Sequence, residues 1–350
     1  MQIYGIDFAK DKFDVSFLAP TLKNVSNKPA HKVVRNNESG ITKFIKTLPA
    51  DAVLVAEHTG VYGDRLLKHC TESHINIAYV GGYVIHTYKS APDRSKTDML
   101  DCAVLREFGE RFTDKLIYKT FPKEELYELK QLARHRTMLV EDRKRYVTAD
   151  KGEDCRPCRS MQVKESMERI MKILTEEIAR TEKQMLDIIR AHEELSRNYD
   201  IITSVKGVGL ITAVELIVKT ENFTTIKTAS QYAAYAGTAP YEKSSGKMNK
   251  GAHVSKIGNR RSKTLLYICA ESARMHNKEI KLYYERRTII DKKPHFYVLN
   301  AIVNKLLKII FSLVTKGQMF DSDFYRKSGV AISIQPATAT DVFARWIFPK

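Results

Sequence analysis

Cysteine is scarce in this sequence and does not pair up. Cys70, Cys102, Cys155, Cys158 and Cys269 are scattered and odd in number. That excludes a disulfide-framed secreted domain and suits a reducing cytosol. Cys155-x-x-Cys158 has neither a second Cys pair nor a spaced His pair to complete a zinc site, so none is expected. No apolar run approaches the roughly 20 residues of a spanning helix, so no membrane segment is expected. The start, Met1-Gln2-Ile3-Tyr4-Gly5-Ile6-Asp7, lacks a basic region before an apolar stretch. It reads as a strand rather than a signal peptide, and a cytoplasmic protein is expected. No ATP-binding loop is present. Acidic residues are also in deficit: 41 Asp and Glu stand against 58 Lys and Arg, a formal charge of +17. Such an excess implies a polyanionic partner: DNA, RNA or an anionic membrane.

What is there supports several domains. The chain has 350 residues, 43% of them hydrophobic, enough for at least two cores. Apolar, β-rich runs at 3–6, 13–17, 32–34, 52–56 and 75–80 alternate with helical patterns at 40–48, 62–70 and 99–112. Ala9-Lys10-Asp11-Lys12 is short enough to make the first two strands a hairpin. The order predicts a mixed sheet covered by helices, the order of an RNase H-like core. Leu126, Leu129, Leu132 and Leu139 then share a helical side. Met167, Met171, Leu174, Ile178, Thr181, Met185 and Ile188 alternate spacings of four and three, a heptad seam. Two long helices follow from this, with a tip at 151–160. They form either a spacer within one chain or a dimerisation arm. Helices are expected next near 210–218, 229–236, 262–275 and 297–315, with a polar loop rich in Lys, Ser and Gly between Pro240 and Arg261.

Four carboxylates stand out by placement. Asp7 ends the first strand and Glu57 ends the buried run Ala52-Val53-Leu54-Val55-Ala56. Asp98 and Asp101 lie three apart, on one face of a helix turn. If the first and fourth strands are neighbours, Asp7 and Glu57 meet, and the helix starting near Asp98 brings two more oxygen donors over them. Such a cluster repels itself unless a cation neutralises it, and magnesium or manganese suits hard oxygen ligands. Two such ions clamp the attacking and leaving oxygens of a phosphodiester. Each acid alone has a plainer explanation as a turn former or cap, and Asp98 could simply cap its helix.

Gly5-Ile6-Asp7 with Lys10, Glu57-x-Thr59-Gly60-x-Tyr62, and Lys96-Thr97-Asp98-x-x-Asp101 resemble the three blocks of the DEDD transposases of bacterial insertion sequences. Val205-Lys206-Gly207-Val208-Gly209-x-x-Thr212-Ala213, Ala236-Gly237-x-x-Pro240, Ser245-Gly246 and Ser255-Lys256-x-Gly258-Asn259-x-Arg261 resemble that family's C-terminal blocks, in order. The family includes pilin-gene inverting and bridge-RNA-guided recombinases. The resemblance implies a RuvC-like, RNase H-like domain over 1–120, a coiled-coil region over 121–200 and a mainly helical transposase domain over 201–318. It gives no role to a tail over 319–350. It implies that Asp7, Glu57, Asp98 and Asp101 bind the metal and that Ser245 is the nucleophile, with Ser244 beside it as the alternative. It further implies a noncoding guide RNA and an oligomer, either a dimer or a dimer of dimers.

By its own chemistry Ser245 needs a base or a metal to activate it, and no His or acid stands at an obvious spacing. The carboxylate-bound metal could supply this, in a site composed from two domains or two protomers. Lys243, Lys247, Lys250, Lys256, Arg260, Arg261 and Lys263 suit phosphate binding. The plainer alternative is a flexible basic loop with ordinary serines. Cleavage and rejoining of DNA through a serine–DNA link is the expected reaction, in a nucleoid-associated enzyme. A metal-dependent nuclease or junction resolvase would use the acids without Ser245. A protein-only invertase would need no RNA, and a noncatalytic nucleic-acid-binding protein would need neither acids nor serine.

Overall fold

Strand β1 (Gln2–Phe8) is buried on both faces and sits at the centre of a six-stranded sheet. The computed structural model describes residues 1–19, 29–58, 60–88, 97–153, 155–158, 160–245, 248–255 and 257–321, with backbone alone over 242–252. They divide into two units, Met1–Lys123 and Glu124–Lys350.

In the first unit, β2 (Lys12–Leu18) runs antiparallel to β1, and β3 (Pro29–Arg35) antiparallel to β2. After helix α1 (Glu38–Ile45), β4 (Ala52–Glu57) pairs parallel to β1 on its other side. Helix α2 (Asp64–Glu72) leads to β5 (Asn76–Val80), parallel to β4. The short β6 (Tyr118–Lys119) closes the far edge, giving the order β3-β2-β1-β4-β5-β6. Helices α3 (Gly82–Tyr88) and α4 (Asp98–Arg111) complete the unit.

Strand alternation assigns the faces. Tyr4, Ile6, Phe8, Leu54 and Ala56 pack with Ile41, Phe44 and Leu66 of α1 and α2. Ile3, Val53 and Val55 pack with Ile85, Leu105 and Phe108 of α3 and α4. Gly5 and Asp7, at even spacing from Ile3, therefore share the α4 face, as does Glu57, two residues beyond Val55. Two glycines let α4 lie close. A Cβ at Gly5 would overlap the Cys102 carbonyl and the Arg106 backbone, and one at Gly109 would come within 2.8 Å of both Val55 and Ile3.

The second unit begins with α5 (Glu124–Glu153) and α6 (Met161–Ala191). Arg136 pairs with Glu182 and Arg143 bonds Thr175, so the two helices run antiparallel as a hairpin. On α6, Thr181, Met185 and Ile189 are buried, while Met167, Met171, Leu174 and Ile178 are only half covered. Leu126, Leu129, Met185 and Ile189 enter the same core as the helices that follow. These are α7 (Glu193–Ser204), α8 (Leu210–Thr220), α9 (Ala229–Ala236), α10 (Arg260–His276), α11 (Lys278–Glu285) and α12 (His295–Lys316). A π turn, Arg286–Ile290, follows α11.

One expectation needs correction, and one helix needs its composition explained. By length and composition alone, helix α12 could cross a membrane. Val298, Leu299, Ile302, Val303, Leu306, Leu307, Ile310 and Phe311 are buried at the centre of the second unit, which explains its composition as that of a core helix. The stretch after Pro240, expected to be a loop, is an antiparallel ribbon of β7 (Pro240–Ser245) and β8 (Met248–Val254). Its lack of apolar alternation hid it. Its base is fixed by a backbone crossing: a Cβ at Gly258 would lie 2.7 Å from Gly237 Cα, and Gly237 itself has φ +72°.

Candidate active site

The acidic residues gather at the ends of the central parallel strands. β1 and β4 pair in register from Gln2↔Ala52 to Ile6↔Ala56, so Asp7 and Glu57 leave the sheet side by side. They do so on the face that α4 covers. Thr97 caps α4, accepting a hydrogen bond from the Leu100 amide at 3.3 Å, so Asp98 is not the cap. Asp98 and Asp101 both lie in the first turn of α4.

A fifth acid, which the sequence reading missed, belongs to the group. Asp14 faces Asp7 across the β1–β2 hairpin and its side chain is 5% exposed. Its Oδ1 lies 2.7 Å from His31 Nε2, and its Oδ2 accepts from Lys12 Nζ at 2.9 Å. The same Lys12 ammonium donates to Asp98 Oδ2 at 2.9 Å. A polar residue on the inner face of a buried strand, opposite Asp7 once Phe8 pairs with Phe13, was the available signal.

The charges respond as a group. Burial first, and then the Asp101, Asp98, Glu57 and Asp14 carboxylates, push the Asp7 carboxyl up to about 6. Asp98 is held below the usual carboxylate range by its bond to Lys12. Lys12 is correspondingly raised by Asp98 and then Asp14. Among the described residues no three His, Cys, Asp or Glu side chains stand close enough to cage an ion. The donor set nonetheless fits a hard divalent cation: it is all oxygen, and one member resists ionising without a counter-charge.

In the second unit, Ser245 lies at the far end of β7, opposite Met248. Ser244 pairs with Asn249. Ser245 is about 16 Å along the strand from Pro240 at 3.3 Å per residue. Lys243 and Lys250 fall on β7 and β8. Gly246, Lys247 and Lys256, together with Thr59, Lys96 and the tail from 322 onward, lie outside the described residues. Arg260 is exposed and Lys263 half exposed at the start of α10. Arg261, expected to contact phosphate, has partners inside the second unit. Its Nε donates to buried Glu215 at 3.2 Å, and its guanidinium also reaches the Ala133 carbonyl. Glu215 accepts a second bond from buried Ser262 at 2.6 Å. A basic residue in a basic stretch gave no sign of this internal partner.

Two family descriptions match the chain. The DEDD transposase description covers residues 4–149, and the transposase IS116/IS110/IS902 family description covers 199–285. The class is therefore a transposase, an enzyme that acts on DNA. A pilin gene-inverting protein of Moraxella bovis is 24% identical over 327 residues, spanning 91% of this chain and 97% of that protein. The pilin gene-inverting protein of Moraxella lacunata matches to the same extent. An uncharacterised 43.6 kDa protein of the IS110 element of Streptomyces coelicolor is 31% identical over 122 residues, 35% of this chain and 30% of that protein. This chain belongs to the IS110 family of DEDD transposases.

Proposed function

We propose that this protein cleaves and rejoins DNA strands through a serine–DNA link, with Asp7, Glu57, Asp98 and Asp101 holding magnesium or manganese. One observation carries the metal reading: β1 and β4 end in register, so Asp7 and Glu57 stand side by side on the face that α4 covers, where burial and then the Asp101, Asp98, Glu57 and Asp14 carboxylates push the Asp7 carboxyl up to about 6. The strand order β3-β2-β1-β4-β5, with β2 alone reversed among them, supports an RNase H-like, RuvC-like unit.

When bound, the divalent ion neutralises charge that builds on the phosphodiester. Asp7 and Glu57 offer oxygens from rigid strand ends, and α4 offers two more. The Ser245 hydroxyl attacks phosphorus and releases a DNA hydroxyl. A second DNA hydroxyl later attacks the same phosphorus and releases the serine. One phosphoester is exchanged for another, so no nucleotide is consumed. Lys243, Lys247, Lys250, Lys256, Arg260 and Lys263 contact phosphates along the strand. Several DNA ends must be held together, which calls for an oligomer, and a noncoding RNA selects the two DNAs by base pairing.

A nicked DNA substrate that traps the covalent species tests the core of this reading. Wild-type protein should migrate as a DNA adduct on a denaturing gel. Ser245→Ala should abolish the adduct, Ser244→Ala should keep it, and Asp7→Asn should lose it. Metal-dependent nicking that survives Ser245→Ala would assign a nuclease instead. The pilin gene-inverting relatives favour DNA inversion as the outcome, and a protein-only invertase is the second reading. Full recombination by protein stripped of RNA would support that reading over the guided one.

A further inference from the structure

We propose that Lys12 is a displaceable counter-cation of the carboxylate site, holding Asp98 until a divalent ion takes that carboxylate from it. The inference rests on the metal-binding role proposed for Asp7, Glu57, Asp98 and Asp101, and adds a positioning residue outside that set.

The geometry is that of an anchored arm. The Lys12 ammonium makes two bonds of equal length, 2.9 Å to Asp14 Oδ2 and 2.9 Å to Asp98 Oδ2. The two ends differ in burial. The Asp14 side chain is 5% exposed and also held by His31, whereas the Asp98 side chain is 58% exposed. An exposed ion pair contributes little and breaks readily, while a buried carboxylate stripped of its partner is costly. The Asp98 bond is therefore the one that yields. After it yields, the ammonium still has Asp14, so displacement leaves no orphaned charge. Lys12 also ties β2 to the first turn of α4, 86 positions further along the chain, and so holds an acid of that turn beside the sheet. A preformed ammonium at this place makes a crowd of carboxylates tolerable before any metal arrives.

Two consequences separate this role from a remote charge effect. Removing the ammonium should strengthen divalent-ion binding, and the gain should depend on Asp98, because Asp98 is what the ammonium withholds. A charge acting only through space would give the same gain whether or not Asp98 is present. The experiment is a Mn2+ titration of the full-length protein by electron paramagnetic resonance, without DNA, for wild type, Lys12→Met, Asp98→Asn and the double variant. Lys12→Met should lower the Kd for Mn2+ about three- to tenfold, the scale of one exposed ion pair. In the Asp98→Asn background the same change should alter Kd less than twofold, a coupling that the double-mutant cycle isolates. Lys12→Gln, with thermal unfolding recorded for every variant, guards against a folding defect.

A gain equal in both backgrounds, or no gain from either Lys12 variant, overturns the Lys12 role. Binding by wild type that is lost in Asp7→Asn keeps the metal reading intact in that case. If neither wild type nor the Lys12 variants bind Mn2+ at millimolar concentration, both inferences fall together. Binding that appears only once Lys12 is replaced supports the counter-cation role in its strongest form.

Discussion

Asp7 is the residue on which the acidic group acts most plainly. Its carboxyl, ordinarily ionised above pH 4, holds its proton to about 6 because burial and the neighbouring carboxylates disfavour its charge. The folded state thus binds that proton more tightly than the unfolded chain. Its contribution to stability is full below about pH 4 and is lost as pH rises through about 6. Asp7→Asn cannot titrate. In metal-free buffer with chelator, its stability should match wild type near pH 4 and exceed it by about 1–2 kcal/mol above pH 7, after allowance for solvent screening. Urea unfolding at several pH values measures the gap, and a gap independent of pH would refute the assignment. If Asp7 holds the metal as proposed, adding magnesium at pH 7 should narrow it, because only the wild type then gains a ligand. Gly5 makes a different demand. Any side chain there meets the Cys102 carbonyl, so Gly5→Ala should lower stability by about 1–3 kcal/mol. It should also weaken metal binding, since α4 can no longer lie against β1.

Helix α4 carries two of the acids, so its first turn is where local structure and function meet. Thr97→Ala removes the bond to the Leu100 amide and should cost about 1 kcal/mol, measurable by thermal unfolding. Fraying of that turn should weaken Mn2+ binding as well. A loss of stability with unchanged metal affinity would separate Asp98 and Asp101 from the site. Much of this element was legible beforehand. The strand runs and the order of strands and helices follow from apolar periodicity and short connections, whereas the pairing of the first and fourth strands was a condition taken from the order of RNase H-like sheets and is seen only in the register of β1 with β4. Asp14 and Lys12 were not legible as site residues, because both lie in an ordinary-looking strand and only hairpin register brings them beside Asp7 and Asp98. The ribbon of β7 and β8 was illegible for another reason. Lys, Ser and Gly give it no alternating pattern, and what defines it is backbone pairing from Pro240↔Val254 to Ser245↔Met248, with Gly237 and Gly258 in close approach just outside the two strands.

Across the whole molecule, the excess of +17 is unevenly spent, and most of it lies beyond residue 123. A chain that meets nucleic acid through phosphate contacts releases counterions, so its affinity falls steeply with salt. Basic residues are not equivalent in that response, and the structure divides adjacent ones. Arg260 is exposed, whereas Arg261 is committed to buried Glu215. Arg260→Ala should leave thermal stability unchanged and reduce the slope of log K against log salt by about one, at every DNA sequence tested. Arg261→Ala should do the opposite. It leaves Glu215 facing Ser262 with its charge uncompensated, which should cost about 3 kcal/mol or more. The salt slope of whatever protein remains folded should be unaltered. Replacing Glu215 together with Arg261, as Glu215→Gln with Arg261→Met, should recover part of that loss, because the carboxylate that needed the guanidinium is gone. Filter binding from about 50 to 200 mM salt and thermal unfolding of these three variants beside the wild type decide the matter. A slope change in Arg261→Ala at constant stability would return that residue to the nucleic-acid surface.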